Sequence, residues 1–209
     1  MAPERTELDL LPAAVVRRRA RGVAVLAAVL GAAVGGLVGL VGGRGPGLLA
    51  AAAVGVPLLL LAFAESRRRT WLDASVVAVR AIGVRRVDVE RAERKDLLVS
   101  AVRGQRTVSL LLGEPSGKTV AVALAIYTPV GGVELGILGL RRLADALARA
   151  TDAKAVLLSS LLVAQLRAEA RGEPMAARPL YLASGLVEAD KVVRKVDDGR
   201  LAALVTEFG

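Results

Sequence analysis

Two long uncharged segments near the N-terminus constrain this chain more than any other feature. The first runs from Gly22 to Gly43, and the second runs from Gly45 to Ala64 after the single charge of Arg44. Each has about the twenty residues that an α-helix needs to cross ~30 Å of hydrocarbon at ~1.5 Å per residue. We therefore predict two transmembrane helices, over residues 22–43 and 46–64.

Helix-breaking residues surround Arg44, in the run Gly42-Gly43-Arg44-Gly45-Pro46-Gly47. Such a concentration of glycine and proline is typical of a tight turn, so the two segments are expected to form an antiparallel hairpin. An export signal that begins at Arg17-Arg18 is the alternative interpretation. The apolar region of such a signal is shorter, and it leaves the second segment unexplained.

Basic residues flank the hairpin at both of its outer ends. They are Arg17, Arg18, Arg19, Arg21, Arg67, Arg68 and Arg69. Because basic flanks stay on the cytoplasmic side of a membrane, both termini are expected in the cytoplasm, and the protein is expected in the cell membrane. The same arginines would lie at an anionic lipid surface, where each contributes on the order of 1 kcal/mol of attraction.

Small residues recur every four positions along both apolar segments. The first segment carries Gly31, Gly35, Gly39 and Gly43, and the second carries Gly47, Ala51 and Gly55. Ridges of this kind allow helix backbones to approach closely in lipid. The glycines are therefore predicted to pack helices, either within the hairpin or between copies of the chain. No ionisable residue lies inside either segment, so an ion pathway is not indicated.

The residue inventory excludes much of ordinary catalysis. The chain has no Cys and no His, which removes thiol nucleophiles, Cys/His zinc sites and Ser-His-Asp triads. The net charge of +9 is divided, because residues 70–209 carry twenty Lys and Arg against sixteen Asp and Glu. We expect no metal, no cofactor and no nucleic-acid partner.

The chain after the hairpin has the mixed pattern of a folded α+β domain over residues 70–151. Extended segments are predicted at Trp71–Arg80, Val84–Val89, Leu97–Val102, Thr107–Leu112 and Thr119–Ile126. Alternating apolar residues and intervening turn residues indicate an antiparallel meander of at least five strands.

A helical period follows the strands. From Val133 to about Ala150, the residues Leu140, Leu143 and Leu147 share one face and predict a helix that caps the sheet. Asp152 is then predicted to N-cap a second helix that ends near Arg171-Gly172.

Residues 152–209 form an α-rich extension of mixed pattern. Near its end, Asp198-Gly199 is a turn signal between Lys191–Val196 and Arg200–Val205. A strand pair and a helix are equally compatible with these residues.

The layout resembles the bacterial pleckstrin-homology-like (PH-like) membrane proteins, over roughly residues 15–150. Arg69-Thr70-Trp71-Leu72-Asp73 and the Val-rich strand after it carry the local similarity. The resemblance implies a curved barrel closed by the helix over 135–150. It also implies an interaction platform at the membrane without a catalytic site.

Two patterns invite chemistry and have simpler explanations. Gly113–Thr119 ends in Gly-Lys-Thr, but it has one residue too few between its glycines for a phosphate-binding loop, and strand-like residues follow it. A hairpin turn is predicted there. The carboxylates Asp88, Glu90, Glu93 and Asp96 lie among basic residues and are predicted to form a solvated, salt-bridged edge.

The leading hypothesis is a membrane protein without enzymatic activity whose cytoplasmic domain binds a protein or a lipid head group. Its candidate contact residues are Arg85, Arg86, Arg103 and Arg106. A structural accessory subunit that assembles through the glycine ridge is the alternative. A nucleotide-hydrolysing enzyme would depend on Gly117-Lys118-Thr119 alone.

Overall fold

The computed structural model of the protein describes residues 5–11, 13–80, 83–187 and 193–208. They divide into two compact units. Residues 11–68 with 80–83 form a helical unit, and residues up to 10, 69–79 and 84 onward form a folded α+β unit.

The helical unit contains two long antiparallel helices, α1 (Ala13–Gly42) and α2 (Arg44–Ser66). Both are long and apolar enough to cross a membrane, over Ala20–Gly42 and Arg44–Ala64. Only 17% of each apolar window is buried within the chain, whereas the core helix of a soluble protein is mostly buried. The helices are therefore consistent with a membrane protein.

The link between the helices is shorter than predicted. Gly43 alone separates them, at φ +83°, a left-handed conformation that glycine adopts without steric cost. The prediction of a turn over Gly42–Gly47 is wrong, because residues 44–47 form the first turn of α2. Pro46 is tolerated there, since the first N–H groups of a helix have no partner within the helix.

The small-residue ridges of α1 and α2 face each other. A Cβ added at Gly35 would lie 2.6 Å from Ala51 Cβ and 2.8 Å from Gly47 O, and one at Gly31 would lie 3.1 Å from Ala51 O. Gly39 is less crowded, with Gly47 Cα at 3.7 Å from the added atom. These glycines thus allow close helix packing inside the hairpin.

In the α+β unit, the first sheet has four antiparallel strands in sequence order. They are β1 (Thr6–Glu7), β2 (Arg69–Asp73), β3 (Val76–Arg80) and β4 (Val84–Asp88). The single extended segment predicted over Trp71–Arg80 is in fact two strands, because the chain turns at Ala74, where φ is +54°.

Strand β1 is supplied by the N-terminal segment, a contribution that the sequence did not indicate. Thr6 pairs with Leu72 across the sheet. Asp9 continues the connection, since its Oδ1 accepts a 2.8 Å hydrogen bond from Thr70 N. Residues on both sides of the hairpin in sequence therefore build one sheet.

The second sheet has five antiparallel strands in the order β8-β7-β6-β5-β9. They are β5 (Arg94–Val102), β6 (Gln105–Gly113), β7 (Thr119–Thr128), β8 (Gly131–Glu134) and β9 (Arg194–Lys195). Alternate residues such as Val108, Leu110 and Leu112 are buried, as expected for strands with one face on a core. The chain thus has the predicted mixed α+β class, with two sheets where one meander was expected.

Four helices complete the unit: α3 (Ile137–Ala148), α4 (Ala153–Ala170), α5 (Pro179–Gly185) and α6 (Asp198–Glu207). The predicted helix start at Val133 is wrong, because Val133 lies in β8 and pairs with Ile126 of β7. The predicted cap of α4 is confirmed, since Asp152 Oδ1 accepts a 2.8 Å hydrogen bond from Ala155 N.

Of the two alternatives that the sequence left open for the tail, the helix is confirmed and the strand pair across Asp198-Gly199 is wrong. Asp197 Oδ1 accepts a 3.0 Å hydrogen bond from Arg200 N and so caps α6, which begins at Asp198. The short strand β9 pairs with β5 instead, with Lys195 opposite Leu98. Residues 191 and 192 of the predicted segment Lys191–Val196 lie outside the described residues.

A single hydrophobic core joins the sheets to the helices that follow them. Leu161 of α4, Leu180 of α5 and Leu201 of α6 belong to the same buried cluster as Leu110 and Val122. The described part of residues 152–209 therefore completes the folded unit and is not a separate appendage.

A buried carboxylate ties three elements of this unit together. Asp96 on β5 is 4% exposed. It accepts hydrogen bonds from Lys154 Nζ at 2.5 Å and from Arg94 Nε at 2.9 Å, and Lys195 Nζ lies 3.1 Å away. The prediction of a solvated edge is therefore wrong for Asp96, which links β5 to α4 and β9. We call these four residues the Asp96 cluster.

The neighbouring Lys95 is also buried and paired. Its ammonium group donates to Ala92 O and, at 2.7 Å, to Asp152 Oδ2. The side chain is 2% exposed, so this pairing keeps a buried cation from being uncompensated. The hydrogen bonds and charge of Lys95 and the amide of Ala155 hold the pKa of Asp152 below its usual value, against the effect of burial.

Replacing Gly35 by Ala should weaken the hairpin, because the new Cβ would clash with Ala51. We expect a loss of about 1–3 kcal/mol, measured by thermal unfolding of the full chain in detergent. Gly36→Ala is the matched control, since its added Cβ meets nothing within 4 Å. Equal stability of the two variants would contradict the close packing.

Asp96→Asn should destabilise the α+β unit by about 3 kcal/mol at neutral pH. Burial raises the pKa of Asp96, but hydrogen bonds from Lys154, Arg94 and Lys195 outweigh it and lower the pKa from 3.8 to about 2. A depressed pKa gives stability that is present above 3.8 and is lost as the pH falls toward about 2.

The wild-type melting temperature should therefore fall across this acid range, and the fall should be smaller in Asp96→Asn. Fluorescence of Trp71, the single tryptophan, reports the unfolding. Asp145→Asn is the control, because Asp145 is exposed and forms no ion pair within the described chain. Identical pH profiles for wild type and Asp96→Asn would refute a stabilising role for this charge.

Candidate anion-binding site

A polar cleft in the α+β unit collects three of the chain's cations. It is lined by Val84, Arg85 and Arg86 at the start of β4 and by residues 116–119 at the turn between β6 and β7. Its volume is about 640 Å³. We call it the basic cleft.

The turn that forms one wall of the basic cleft is a β-hairpin. Glu114 N donates to Lys118 O at 2.9 Å, and Gly117 N donates to Glu114 O at 3.0 Å. Gly117 has φ +80°, which favours glycine at this position. The predicted hairpin turn is confirmed, because the chain continues from Thr119 as β7 and not as a helix.

The other wall comes from the exposed start of β4. Val84, Arg85 and Arg86 are exposed, and Val87 is the first residue of the strand whose side chain is buried. Strand β4 lies at the edge of its sheet and also contacts β7. Burial of Val87 thus anchors the strand, while Arg85 and Arg86 before it stay exposed and line the cleft.

Among the described residues, the lining of the basic cleft contains cations and no carboxylate. Within the described chain, Arg85, Arg86 and Lys118 form no ion pair. The acid of the adjoining turn is Glu114, whose Oε2 accepts a 3.1 Å hydrogen bond from Ser116 Oγ. Three cations therefore share a concave surface that suits an anion.

The structure separates the four predicted contact arginines into two groups. Arg85 and Arg86 line the basic cleft. Arg103 lies in the turn between β5 and β6. Arg106 lies on β6 opposite Tyr127 of β7, and Gly113 lies at the other end of β6. Seven residues of strand correspond to about 23 Å, so the two groups do not form one surface.

Lys118 is the cleft residue that the sequence did not indicate. It was part of the Gly-Lys-Thr run, whose only candidate role was in a phosphate-binding loop. Its position beside Arg85 and Arg86 arises from the packing of β4 near β7, which no local pattern reports.

The predicted basic flank has members in both units. Arg18 and Arg21 on α1 are exposed, as are Arg67 and Arg68 after α2. Arg67 stacks on Phe63 with its guanidinium carbon 4.4 Å from the ring centroid. Arg69 opens β2 and pairs with Asp9 at 3.5 Å, so it belongs to the α+β unit. Arg17 and Arg19 lie on α1.

Several titratable groups away from the basic cleft form hydrogen bonds or ion pairs within the fold. Tyr127 is buried and donates to Glu134 Oε1 at 2.7 Å, while Glu134 Oε2 pairs with Arg178 Nη1 at 2.5 Å. Burial, reinforced by Glu134, raises the pKa of Tyr127. At the surface, Glu90 pairs with Arg149 at 2.6 Å and Asp88 with Arg91 at 3.9 Å. No group of three or more potential metal ligands occurs within the described residues.

Two glycines of the ridge on α1 are buried against α2. Gly31 and Gly35 are the glycines of α1 most closely covered by α2. Gly43 follows α1, and a Cβ added there would meet nothing within 4 Å. A homo-oligomer built on Gly31 and Gly35 would have to displace α2.

Compared with protein-family models, curated proteins and solved structures, the chain shows no match. The PH-like resemblance therefore rests on the layout of two apolar helices followed by antiparallel sheets.

Proposed function

We propose that the protein is a membrane-anchored binding module without enzymatic activity. In this proposal α1 and α2 cross the cell membrane, and both termini lie in the cytoplasm. The apolar, largely uncovered helices and the basic residues at their outer ends support this topology. The α+β unit would then work next to the bilayer, where it binds an anionic ligand.

The uncompensated charge of the basic cleft carries this proposal. Exposed cations usually pair with carboxylates or are scattered over a surface, and they contribute little to stability. Here Arg85, Arg86 and Lys118 are brought together by two different elements and line one cleft. A cleft lined by charges of one sign raises the local concentration of counter-ions, which supports an anionic ligand.

A PH-like fold agrees with this function. Strands β1 to β8 of the two antiparallel sheets precede α3, and Leu140, Leu143 and Leu147 of that helix are buried in the common core. Domains of this type act as interaction platforms, so the resemblance supports binding as the role of the unit. The further helices α4 to α6 and strand β9 distinguish this chain from the simplest form of that layout.

Neutralising the basic cleft should weaken binding of acidic ligands. We would compare full-length wild type with the R85Q/R86Q/K118Q variant in nanodiscs of phosphatidylcholine. Binding of pyrophosphate, citrate and a hexaglutamate peptide would be measured by calorimetry. We expect at least one of these anions to bind saturably to wild type, and the variant to bind it at least tenfold more weakly, because each lost cation removes electrostatic attraction.

The matched control removes three exposed arginines that do not line the cleft, in the R91Q/R141Q/R167Q variant. It has the same net charge as the first variant and should bind the anion as wild type does. Failure of wild type to bind any of the three anions would refute the proposed function. Equal losses in both variants would also refute it, because the cleft would then have no special role.

A further inference from the structure

We propose that the helical unit binds one anionic phospholipid in a groove between α1 and α2. The groove is lined by Ala20, Arg21 and Ala24 near the start of α1 and by side chains of α2 between Val56 and Ser66. We call it the hairpin groove. The inference rests on the membrane-spanning hairpin of the proposed function, but it does not involve the basic cleft, which belongs to the other unit.

Side chains of unequal size on the two helices form the hairpin groove. Helix α1 contributes Ala20 and Ala24, which are small, whereas α2 contributes Leu60 and Phe63, which are 62% and 55% exposed. The groove has a volume of about 690 Å³, within the range of small-molecule sites. Its lining is apolar apart from one arginine and one serine. The lining therefore suits a hydrocarbon chain, which gains van der Waals contact with both helices.

The length of the hairpin groove matches one leaflet of a bilayer. Its lining on α2 extends from Val56 to Ser66, which corresponds to about 15 Å of helix. The hydrocarbon core of a bilayer is ~30 Å thick, so one leaflet contributes about half of that thickness. A transmembrane helix of a second copy would cross both leaflets, whereas the groove extends over one. One acyl chain therefore fits its length.

Two cations lie at the outer end of the hairpin groove. Arg21 lines the groove at the start of the apolar span of α1. Arg67 follows the apolar span of α2, and its guanidinium carbon lies 4.4 Å from the ring centroid of Phe63, which lines the groove. Both arginines are exposed, and neither forms an ion pair within the described chain. They complement an anionic head group, because guanidinium groups bind phosphate oxygens through paired N–H donors.

Filling the hairpin groove should exclude the acyl chain. Ala24→Leu adds a larger side chain to the lining of the groove. Ala33→Leu is the matched control, because Ala33 is exposed and does not line the groove. Nine residues separate the two positions, about two and a half turns of helix, so they lie on opposite faces of α1. The two variants thus differ only in where the larger side chain is placed.

The experiment titrates the full chain in detergent micelles with phosphatidylglycerol or phosphatidylcholine and counts bound lipids by native mass spectrometry. We expect one phosphatidylglycerol to bind per chain, about fivefold more tightly than phosphatidylcholine. Arg21→Gln should weaken phosphatidylglycerol binding about fivefold, which corresponds to about 1 kcal/mol. Arg18→Gln, at an exposed position of α1 outside the groove, should leave it nearly unchanged. Ala24→Leu should weaken it about fivefold or more, and Ala33→Leu should bind as wild type does.

Glycerol 3-phosphate carries a phosphate without acyl chains and should not displace the lipid. Displacement would overturn the inference, because the head group alone would then account for binding. Equal affinity for the two lipids would overturn it as well. Equal losses in Arg21→Gln and Arg18→Gln, or in Ala24→Leu and Ala33→Leu, would have the same consequence. A dimer of the chain that Ala24→Leu dissociates would assign the groove to a second copy and exclude the lipid.

Lipid binding by the hairpin groove and anion binding by the basic cleft are separate results. The R85Q/R86Q/K118Q variant should bind phosphatidylglycerol as wild type does, because the basic cleft is not part of the groove. A loss confined to that variant would overturn the hairpin groove as the lipid site. If the soluble anions fail to bind but the lipid still depends on Arg21, the proposed function is refuted and the lipid site is supported.

Discussion

The uncovered apolar surface of α1 and α2 is the constraint on which the rest of the structure depends. Leu40, Val41, Leu48 and Leu49 are among the exposed side chains of the hairpin, and each is more than two-thirds exposed. Exposed apolar surface of this extent is costly in water and indicates a membrane or partner surface. Close packing at Gly35 lets the two helices form one compact unit. The hairpin also divides the sheet-forming parts of the chain, since β1 precedes it and β2 follows it directly.

The α+β unit combines an apolar core with buried charge. The sheet faces and helices α3 to α6 bury one continuous set of aliphatic residues. The Asp96 cluster and the Lys95–Asp152 pair then join β5 to the start of α4 and to β9. Because a buried charge is costly unless it is paired, these contacts restrict how the C-terminal elements can dock. They explain why Asp96, which was predicted to lie at a solvated edge, is buried and links elements of the fold.

Secondary-structure elements could be predicted from the sequence where a regular residue pattern extends over a whole strand or helix. The two apolar helices, most strands and the cap at Asp152 followed from composition, alternation and spacing. Positions decided by distant parts of the chain could not be predicted. Thr6 forms a strand because β2 offers it an edge, and Val133 is extended because β7 pairs with β8. Residues 200–205 are helical because Asp197 caps α6, although Asp198-Gly199 has the appearance of a turn.

The same limit applies to the candidate site. Arg85 and Arg86 could be selected as exposed basic residues, but their partner Lys118 is more than thirty positions away in sequence. Conversely, Arg103 and Arg106 are basic residues that the sequence does not distinguish from Arg85 and Arg86, but they lie at the end of β6 that is far from the basic cleft. Lys118 lines the same cleft as Arg85 and Arg86 because β4 packs near β7, and this proximity is visible only in the tertiary structure.

The measurement that tests the account most directly is the accessibility of single introduced cysteines. The chain has no Cys of its own, so labelling by a membrane-impermeant maleimide has no background. Arg44→Cys, between the two apolar segments, and Ser116→Cys, in the basic cleft, would be compared in right-side-out and inside-out membrane vesicles. A cytoplasmic binding module anchored by a hairpin predicts labelling of Arg44→Cys in right-side-out vesicles and of Ser116→Cys in inside-out vesicles. Labelling of both positions from the same side would contradict the membrane hairpin, and the reverse pattern would place the cleft outside the cytoplasm.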